Sequence, residues 1–280
     1  MSDDAPSSVG DPVPSASAAA FTESQIAALV SGLSLVRARI AAAAARAGCV
    51  PPRLVAVSKF KPAPAVAAAY AEGVRHFGEN YVQELIGKAA ELPADIAWHF
   101  IGQLQSNKAR GLVTSVPSLY CVESVDSEKL AALLEKGAAA AGRGLASDAF
   151  PSASGGASID EIPLAARPLQ VLVQVNTSGE GQKGGVEPGS AAGLAAFIIR
   201  ECPHLAFRGL MTIGAADAAP TASFAALVAE RAAVCAALGP PWDAPGALEL
   251  SMGMSGDFEE ATEAGATSLR VGSAIFGERK

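Results

Sequence analysis

Residues 54–102 read LVAVSKFKPAPAVAAAYAEGVRHFGENYVQELIGKAAELPADIAWHFIG, and this stretch decides the fold. It contains three short strand-like runs, at Leu54–Lys59, His76–Gly78 and Trp98–Gly102. Segments with helical signals separate these runs. Strands that alternate with helices imply βαβ units and a parallel sheet.

The same alternation continues to the C-terminus. Five further strand candidates follow, at Leu119–Val122, Leu169–Val175, Phe207–Ile213, Ala247–Met252 and Ser268–Val271. Eight such units at this chain length predict a single (β/α)8 TIM barrel of the α/β class. The alternative is an open doubly wound sheet, but no G-x-G-x-x-G motif follows the first strand.

Segments outside this pattern set the predicted domain limits. Residues 1–20 are dominated by Ser, Pro, Ala, Gly and Asp without periodicity, which predicts a disordered tail. The spacing of Thr22 and Gln25 is that of a capping box, and it predicts an extra N-terminal helix ending near Gly48. The barrel is expected over residues 21–280, with a flexible surface insertion at 138–168, where apolar order is lost.

Composition and charge narrow the possible partners. The 280-residue chain has 21 basic and 28 acidic residues, a net charge of −7, which argues against a nucleic-acid partner. No uncharged apolar stretch approaches the ~18 residues of a membrane span, and the acidic N-terminus does not resemble a signal or transit peptide. The four cysteines form no C-x-x-C pair, and the three histidines show no metal-ligand spacing. We expect a cytoplasmic protein without a bound metal and without membrane association.

The first strand ends in a candidate nucleophile. In a (β/α)8 barrel the reactive groups lie at the C-terminal ends of the strands, and Lys59 stands at that end of the first one. An apolar floor disfavours the ammonium form and so lowers the pKa of the lysine. The neutral amine that results can attack a carbonyl and form a Schiff base. The alternative is a lysine that simply extends into solvent.

The last two strands lead into a candidate anion site. Ser255 is a predicted N-cap of a helix at 257–264, and Gly272 and Ser273 precede another short segment that could be helical. Helix N-termini expose backbone N–H groups, and the loops after strands 7 and 8 are the usual phosphate site of this fold. Ordinary capping and a tight turn are the alternative.

A phosphate site opposite a strand-end lysine suggests a phosphorylated aldehyde, of which pyridoxal 5'-phosphate is the obvious example. Arg270, on the strand that leads into the phosphate site, could face the pyridine nitrogen. Because a guanidinium only donates hydrogen bonds, that nitrogen would stay unprotonated and the ring would be a poor electron sink. The alternative for Arg270 is a salt bridge to a neighbouring strand-end carboxylate such as Glu249.

Several motifs together resemble the pyridoxal phosphate homeostasis proteins, a family of single-domain barrels similar to the N-terminal domain of alanine racemase. The motifs that carry the resemblance are Val55-Ala-Val-Ser-Lys59, Phe77-Gly-Glu-Asn80-Tyr-Val-Gln-Glu84, Trp98-His-Phe-Ile-Gly-Gln-Leu-Gln-Ser-Asn107-Lys108, Gly209-Leu-Met-Thr-Ile213, Leu250-Ser-Met-Gly-Met-Ser255 and Arg270-Val-Gly-Ser-Ala-Ile-Phe-Gly277. The resemblance implies a Schiff base on Lys59 and Arg270 at the pyridine nitrogen. It also implies phosphate contacts from Ser255, Gly272 and Ser273, with Asn80 and Met252 lining the pocket.

Some positions depart from the family pattern or have no assigned role. Phe60 follows the lysine where a small polar residue is common, and Ser273 replaces the usual threonine. Lys183 is expected on a mobile loop, as a solvated lysine or a weaker second aldehyde contact. Three residues of the third-strand motif have no assigned role: His99, Asn107 and Lys108.

Three functional hypotheses use Lys59. The favoured one is a monomeric, non-catalytic carrier that buffers pyridoxal phosphate and passes it to apo-enzymes. The second is an amino-acid racemase, which needs a second base; in alanine racemase a separate β-domain supplies it, and this chain is expected to have no room for one. The third is a cofactor-free Schiff-base aldolase with the phosphate site used for substrate.

Overall fold

A closed barrel of eight parallel strands forms the centre of the computed structural model, which describes residues 21–146, 162–180, 183–214 and 220–278. The strands pair in chain order, and the eighth closes on the first. They are β1 (Arg53–Val57), β2 (His76–Glu79), β3 (Ala97–Phe100), β4 (Leu119–Val125), β5 (Leu169–Gln174), β6 (Leu205–Met211), β7 (Glu249–Ser251) and β8 (Ser268–Val271). The predicted TIM barrel is confirmed.

Helices cover the outside of the barrel. They are α1 (Glu23–Ala47), α2 (Ala63–Ala71), α3 (Val82–Glu91), α4 (Ala109–Ser115), α5 (Glu128–Ala140), α6 (Ala191–Glu201), α7 (Pro220–Leu238), α8 (Phe258–Glu263) and α9 (Ser273–Phe276), with short 3-10 helices at Ser106–Lys108 and Leu164–Ala166. The main apolar core lies between this layer and the strands, where Phe77, Trp98 and Phe207 are buried. Burial of each such side chain contributes about 1.5–3 kcal/mol.

The extra helix α1 packs against the end of the chain that carries the predicted phosphate site. Its start is fixed by the predicted capping box of Thr22 and Gln25, and its end by Gly48 at φ 64°. A Cβ atom on Gly32 would lie 2.7 Å from the carbonyl oxygen of Ala274 in α9. Glycine at this position therefore allows α1 to contact α9 directly.

The predicted insertion at 138–168 is shorter than expected, because both of its flanks belong to the folded barrel. Helix α5 continues to Ala140. Arg143 is buried and donates hydrogen bonds to the carbonyl oxygens of Leu119 (2.8 Å) and Leu164 (2.8 Å), which tie the two flanks to β4. The remainder, residues 147–161, lies outside the described residues, as does the predicted tail at 1–20.

Two described helices, α1 and α7, are long and apolar enough to cross a membrane by length and composition alone. Both also pack through one face in this structure. In α1 the buried residues include Leu29, Leu33 and Val36, and in α7 they include Phe224 and Leu227. The predicted absence of membrane association stays a prediction.

Candidate functional site

Lys59 lies in a tight turn at the carboxyl end of the barrel. Strand β1 ends at Val57, two residues earlier than predicted, so Lys59 follows the strand instead of ending it. The Lys61 N–H closes the turn on the Ser58 carbonyl oxygen at 3.0 Å. The next residue after Lys59, Phe60, has φ 63°, a left-handed conformation that costs a non-glycine residue about 1–3 kcal/mol and is typical of functional sites.

A buried ionic cluster centred on Lys88 stabilises this turn. Lys88 Nζ donates to the Ser58 carbonyl oxygen (2.7 Å), to Glu79 Oε1 (2.6 Å) and to Glu84 Oε1 (2.7 Å). Glu84 Oε1 also accepts the Phe60 N–H at 2.7 Å, and the Ser58 hydroxyl donates to Glu79 Oε1 at 2.6 Å. Burial raises the pKa of Glu79 to about 7, although Lys88 acts in the opposite direction. The cluster fixes the backbone on both sides of Lys59.

Arg270 lies on the strand next to Lys59 and is nearly fully buried, at 5% exposure. In the β1–β8 pair it is opposite Val55. Its Nη1 donates to Ser251 Oγ (2.5 Å) and its Nη2 to the Thr212 carbonyl oxygen (2.6 Å). The alternative salt bridge to Glu249 is wrong, because Glu249 Oε2 instead pairs with Arg53 Nη1 at 2.8 Å at the start of β1.

The loops after β7 and β8 lie together, as predicted for the anion site, but Ser255 has a different role from the predicted helix cap. Ser255 is not the N-cap of α8, since Asp257 occupies that position. Its hydroxyl oxygen instead accepts the backbone N–H groups of Gly272 (3.1 Å) and Ala274 (3.3 Å). These amides at the start of α9 therefore converge on an acceptor, as phosphate binding requires. Ser273, between them, is exposed.

Asn80 and Met252, both predicted to line the pocket, have different environments. Asn80 follows β2, next to β1, and its side-chain Oδ1 is buried without a hydrogen-bond partner. A Cβ atom on Gly102 would lie only 2.2 Å from the Asn80 carbonyl oxygen, so glycine there lets the β2 and β3 loops approach. Met252 has 0% exposure and belongs to the main core cluster. Its predicted place in the lining of the pocket stays a prediction.

The lysine predicted on a mobile loop is tied down. Lys183 Nζ donates to the Gly214 carbonyl oxygen (2.8 Å) and pairs with Glu180 Oε1 (2.8 Å), so the expectation of a solvated side chain is wrong. It lies near Thr212, whose carbonyl oxygen binds Arg270. By contrast, the third-strand motif places two side chains of unassigned role on the surface, Asn107 and Lys108.

Sequence reasoning missed a polar chain inside the barrel. Glu123 Oε2 accepts the Ser251 hydroxyl (2.5 Å), which also accepts from Arg270, and Glu123 Oε1 contacts His99 Nδ1 at 2.6 Å. His99, left without a role, is thus buried at the centre of the barrel. The sequence did contain a signal, namely Glu123 directly after an apolar strand-like run. A glutamate buried in such a strand is almost always paired, so its position would have indicated a polar partner inside the barrel. The predicted strand stopped at Val122, one residue before Glu123 and three residues before the end of β4.

These groups share one end of the barrel. Lys59 and Asn80 follow the adjacent strands β1 and β2, and Arg270 lies on β8 beside β1. The Gly272 Cα lies close to Val57, since a Cβ placed on it would be 3.2 Å from the Val57 carbonyl oxygen. The site therefore combines an amine, a fixed guanidinium, converging backbone amides and a buried amide oxygen without a partner. It suits a phosphorylated aldehyde with a ring acceptor.

Comparisons with known proteins place this barrel in a class. The model of the family "Alanine racemase, N-terminal domain" matches residues 32–280. Within that class the chain belongs to the pyridoxal phosphate homeostasis protein family. A protein of that name from Caenorhabditis elegans is 46% identical over 235 residues, which are 81% of this chain and 86% of the relative.

Solved structures agree with this assignment. PipY of Synechococcus elongatus with pyridoxal phosphate bound has a TM-score of 0.66 and 33% identity, over 89% of this chain and 100% of PipY. A structure described as an unknown protein from Bifidobacterium adolescentis has a TM-score of 0.74 and 34% identity, over 91% of this chain and 96% of that one.

Proposed function

We propose that this chain binds pyridoxal 5'-phosphate reversibly at the carboxyl end of its barrel and serves as a carrier of the cofactor in pyridoxal phosphate homeostasis. The observation that carries the proposal is that Lys59 follows β1 while Arg270 lies on the neighbouring strand β8, beside the amides that converge on Ser255. The names of the relatives and the cofactor bound to PipY support it.

Each residue would meet a different part of the cofactor, which supplies an aldehyde and an electron-accepting ring when bound. The amine of Lys59, in the turn that the Lys88 cluster fixes, would condense with the aldehyde carbon, and the aldehyde oxygen would leave as water. The phosphate would lie beside Gly272 and Ser273. The Ser255 hydroxyl, which accepts the amides of Gly272 and Ala274, would donate its own proton to a phosphate oxygen. Asn80 Oδ1, which has no hydrogen-bond partner, would accept a hydrogen bond from the bound cofactor.

The carrier hypothesis depends on Arg270. A guanidinium has five N–H donors and no acceptor, so it would leave the ring nitrogen unprotonated and limit the ring as an electron sink. Enzymes that form carbanions with this cofactor use the ring for that purpose. Arg270 therefore favours storage and transfer to apo-enzymes over catalysis. The cytoplasmic location and the monomeric state are part of the same proposal.

Titration of the purified protein with pyridoxal phosphate tests this function. We expect a visible absorption band that saturates at one cofactor per chain. Incubation of the loaded protein with L-amino acids in D₂O, followed by NMR, should show no exchange at Cα above that of a Lys59→Ala variant. Absence of the band would eliminate the binding proposal, and lysine-dependent Cα exchange would replace the carrier with an enzyme.

A further inference from the structure

The interior of the barrel holds a continuous chain of polar side chains that begins at Arg270. The Arg270 guanidinium donates to Ser251 Oγ, and the Ser251 hydroxyl donates to Glu123 Oε2, each at 2.5 Å. Glu123 Oε1 then contacts His99 Nδ1 at 2.6 Å, and His99 Nε2 contacts His76 Nδ1 at 2.9 Å. Because a carboxylate only accepts, both the serine and the His99 Nδ1 donate to Glu123.

Glu123 is the counter-ion of Arg270. Its Oε2 lies 3.9 Å from Arg270 Nη1, and both side chains are almost fully buried. Burial opposes ionisation of Glu123, but the hydrogen bond from His99 and the electrostatic influence of His99 and Arg270 outweigh it and lower its pKa. The ionised carboxylate of Glu123 thus lies inside the barrel beside Arg270. Burial lowers the pKa of Arg270 as well. Removal of one partner of such a pair leaves an uncompensated buried charge.

The far end of the chain keeps Glu123 in place. The rings of His76, His99 and Tyr120 pack against one another with centroids 5.0–5.2 Å apart. Burial, together with His99 and Arg53, lowers the pKa of His76 to about 2, so this ring is neutral near pH 7. The packed rings lie toward the amino ends of the strands, and they keep His99 Nδ1 within hydrogen-bonding distance of Glu123.

This geometry does not favour a metal site. His99, Cys121 and Glu123 place one potential ligand atom each within 4.8 Å of one another. Both His99 nitrogens, however, already contact side chains, and burial raises the pKa of the Cys121 thiol well above its ordinary value. Among the described residues, these groups serve the hydrogen-bonded chain better than a cation.

We propose that Glu123 is a positioning residue that fixes the charge and orientation of the Arg270 guanidinium toward the ring nitrogen of the bound cofactor. The inference rests on the proposed function, since it takes Arg270 as the partner of that nitrogen. Glu123 acts through Ser251 and does not itself contact the ligand. Its effect on the cofactor should therefore require Arg270.

A double-mutant cycle tests this dependence. The variants are Glu123→Gln, Arg270→Gln and the double variant, measured by pyridoxal phosphate titration and by the absorption maximum of the bound cofactor. Glu135→Gln is the matched control, because Glu135 also accepts from a histidine Nδ1 (His204, 2.6 Å) but lies on the outer helix α5.

Glu123→Gln should weaken cofactor binding by about tenfold and shift the absorption maximum, whereas the control should match wild type. With Arg270 already replaced, the same change should alter binding by less than about twofold. Glu123→Asp keeps the buried charge but withdraws the carboxylate from Ser251. It should also weaken binding when Arg270 is present and leave binding unchanged when Arg270 is replaced, so the test holds even if Glu123→Gln alone does not fold.

The outcomes separate the two proposals. A wild-type protein without a visible band would overturn both the proposed function and the role of Glu123. A normal wild-type band with an unchanged Glu123→Gln variant, or an equal loss of binding with and without Arg270, would overturn the role of Glu123 alone.

Discussion

Replacement of Lys59 by alanine should abolish the visible absorption band of the cofactor-loaded protein. The band requires a bond between the cofactor and an amine, and the proposal assigns that bond to Lys59, in the turn that follows β1. The phosphate contacts do not depend on this side chain. We therefore expect residual binding that is weaker by at least about tenfold, measured by equilibrium dialysis against pyridoxal phosphate.

Two other lysines serve as matched controls for this variant. Lys61 lies in the same turn, and its Nζ donates to the Glu278 carbonyl oxygen at 3.0 Å. Lys183 lies near the site but is tied to Gly214 and Glu180. Lys61→Ala and Lys183→Ala should both keep the band. A Lys59→Ala variant that stays yellow while Lys183→Ala turns colourless would move the attachment site to the β5 loop.

Replacement of Lys88 by methionine should cause the largest loss of stability. All three ammonium donors of Lys88 are in use, and Glu79, one of its partners, is fully buried. Breaking a buried ion pair by removing one partner costs about 3–5 kcal/mol. In a domain of this size that corresponds to a thermal midpoint lower by about 6–20 °C, measurable by calorimetry.

The loss should depend on pH in a defined direction. Burial raises the folded-state pKa of Glu79 from 4.5 to about 7. Because this pKa is higher in the folded state, protonation of Glu79 stabilises the folded protein. This stabilisation is complete below about pH 4.5, the pKa of the unfolded state, and is lost as the pH rises through about 7. Above that range Glu79 is ionised and relies on Lys88. Lys88→Met should therefore lose more stability at about pH 8 than at about pH 5.

Lys136→Met provides the control for stability, because Lys136 is exposed on α5. A surface substitution of this kind changes the free energy of unfolding by less than about 0.5 kcal/mol. If Lys88→Met had the thermal midpoint of this control at both pH values, the ionic cluster would not hold the Lys59 turn.

The barrel and the position of the site could be predicted because local patterns determine them. Eight strand-like runs separated by helical segments indicate a closed parallel barrel, and the fold places the residues that follow its strands at one end. That rule gave Lys59, and Arg270 followed from its place on the strand that leads into the predicted phosphate site, whereas Asn80 came only from the resemblance to the family. The strand boundaries were less exact, because Ser58 and Lys59 belong to a turn that only the contact with Glu84 and Lys88 reveals.

Contacts between distant strands could not be predicted from one sequence. Ser255 looks like a helix cap, but its hydroxyl binds amides 17 and 19 residues further along. Glu84 and Lys88 have the spacing of an ordinary surface pair on a helix, and only the barrel brings Glu79 beneath them. Glu123 lies 128 residues from Ser251 in the chain.

The most direct measurement of the central claim is borohydride reduction of the wild-type protein loaded with pyridoxal phosphate, followed by proteolysis and peptide mass mapping. Reduction should fix the cofactor to Lys59 and leave Lys61, Lys88 and Lys183 unmodified. Recovery of unmodified Lys59 together with an adduct on a different amine would contradict the assignment of this site.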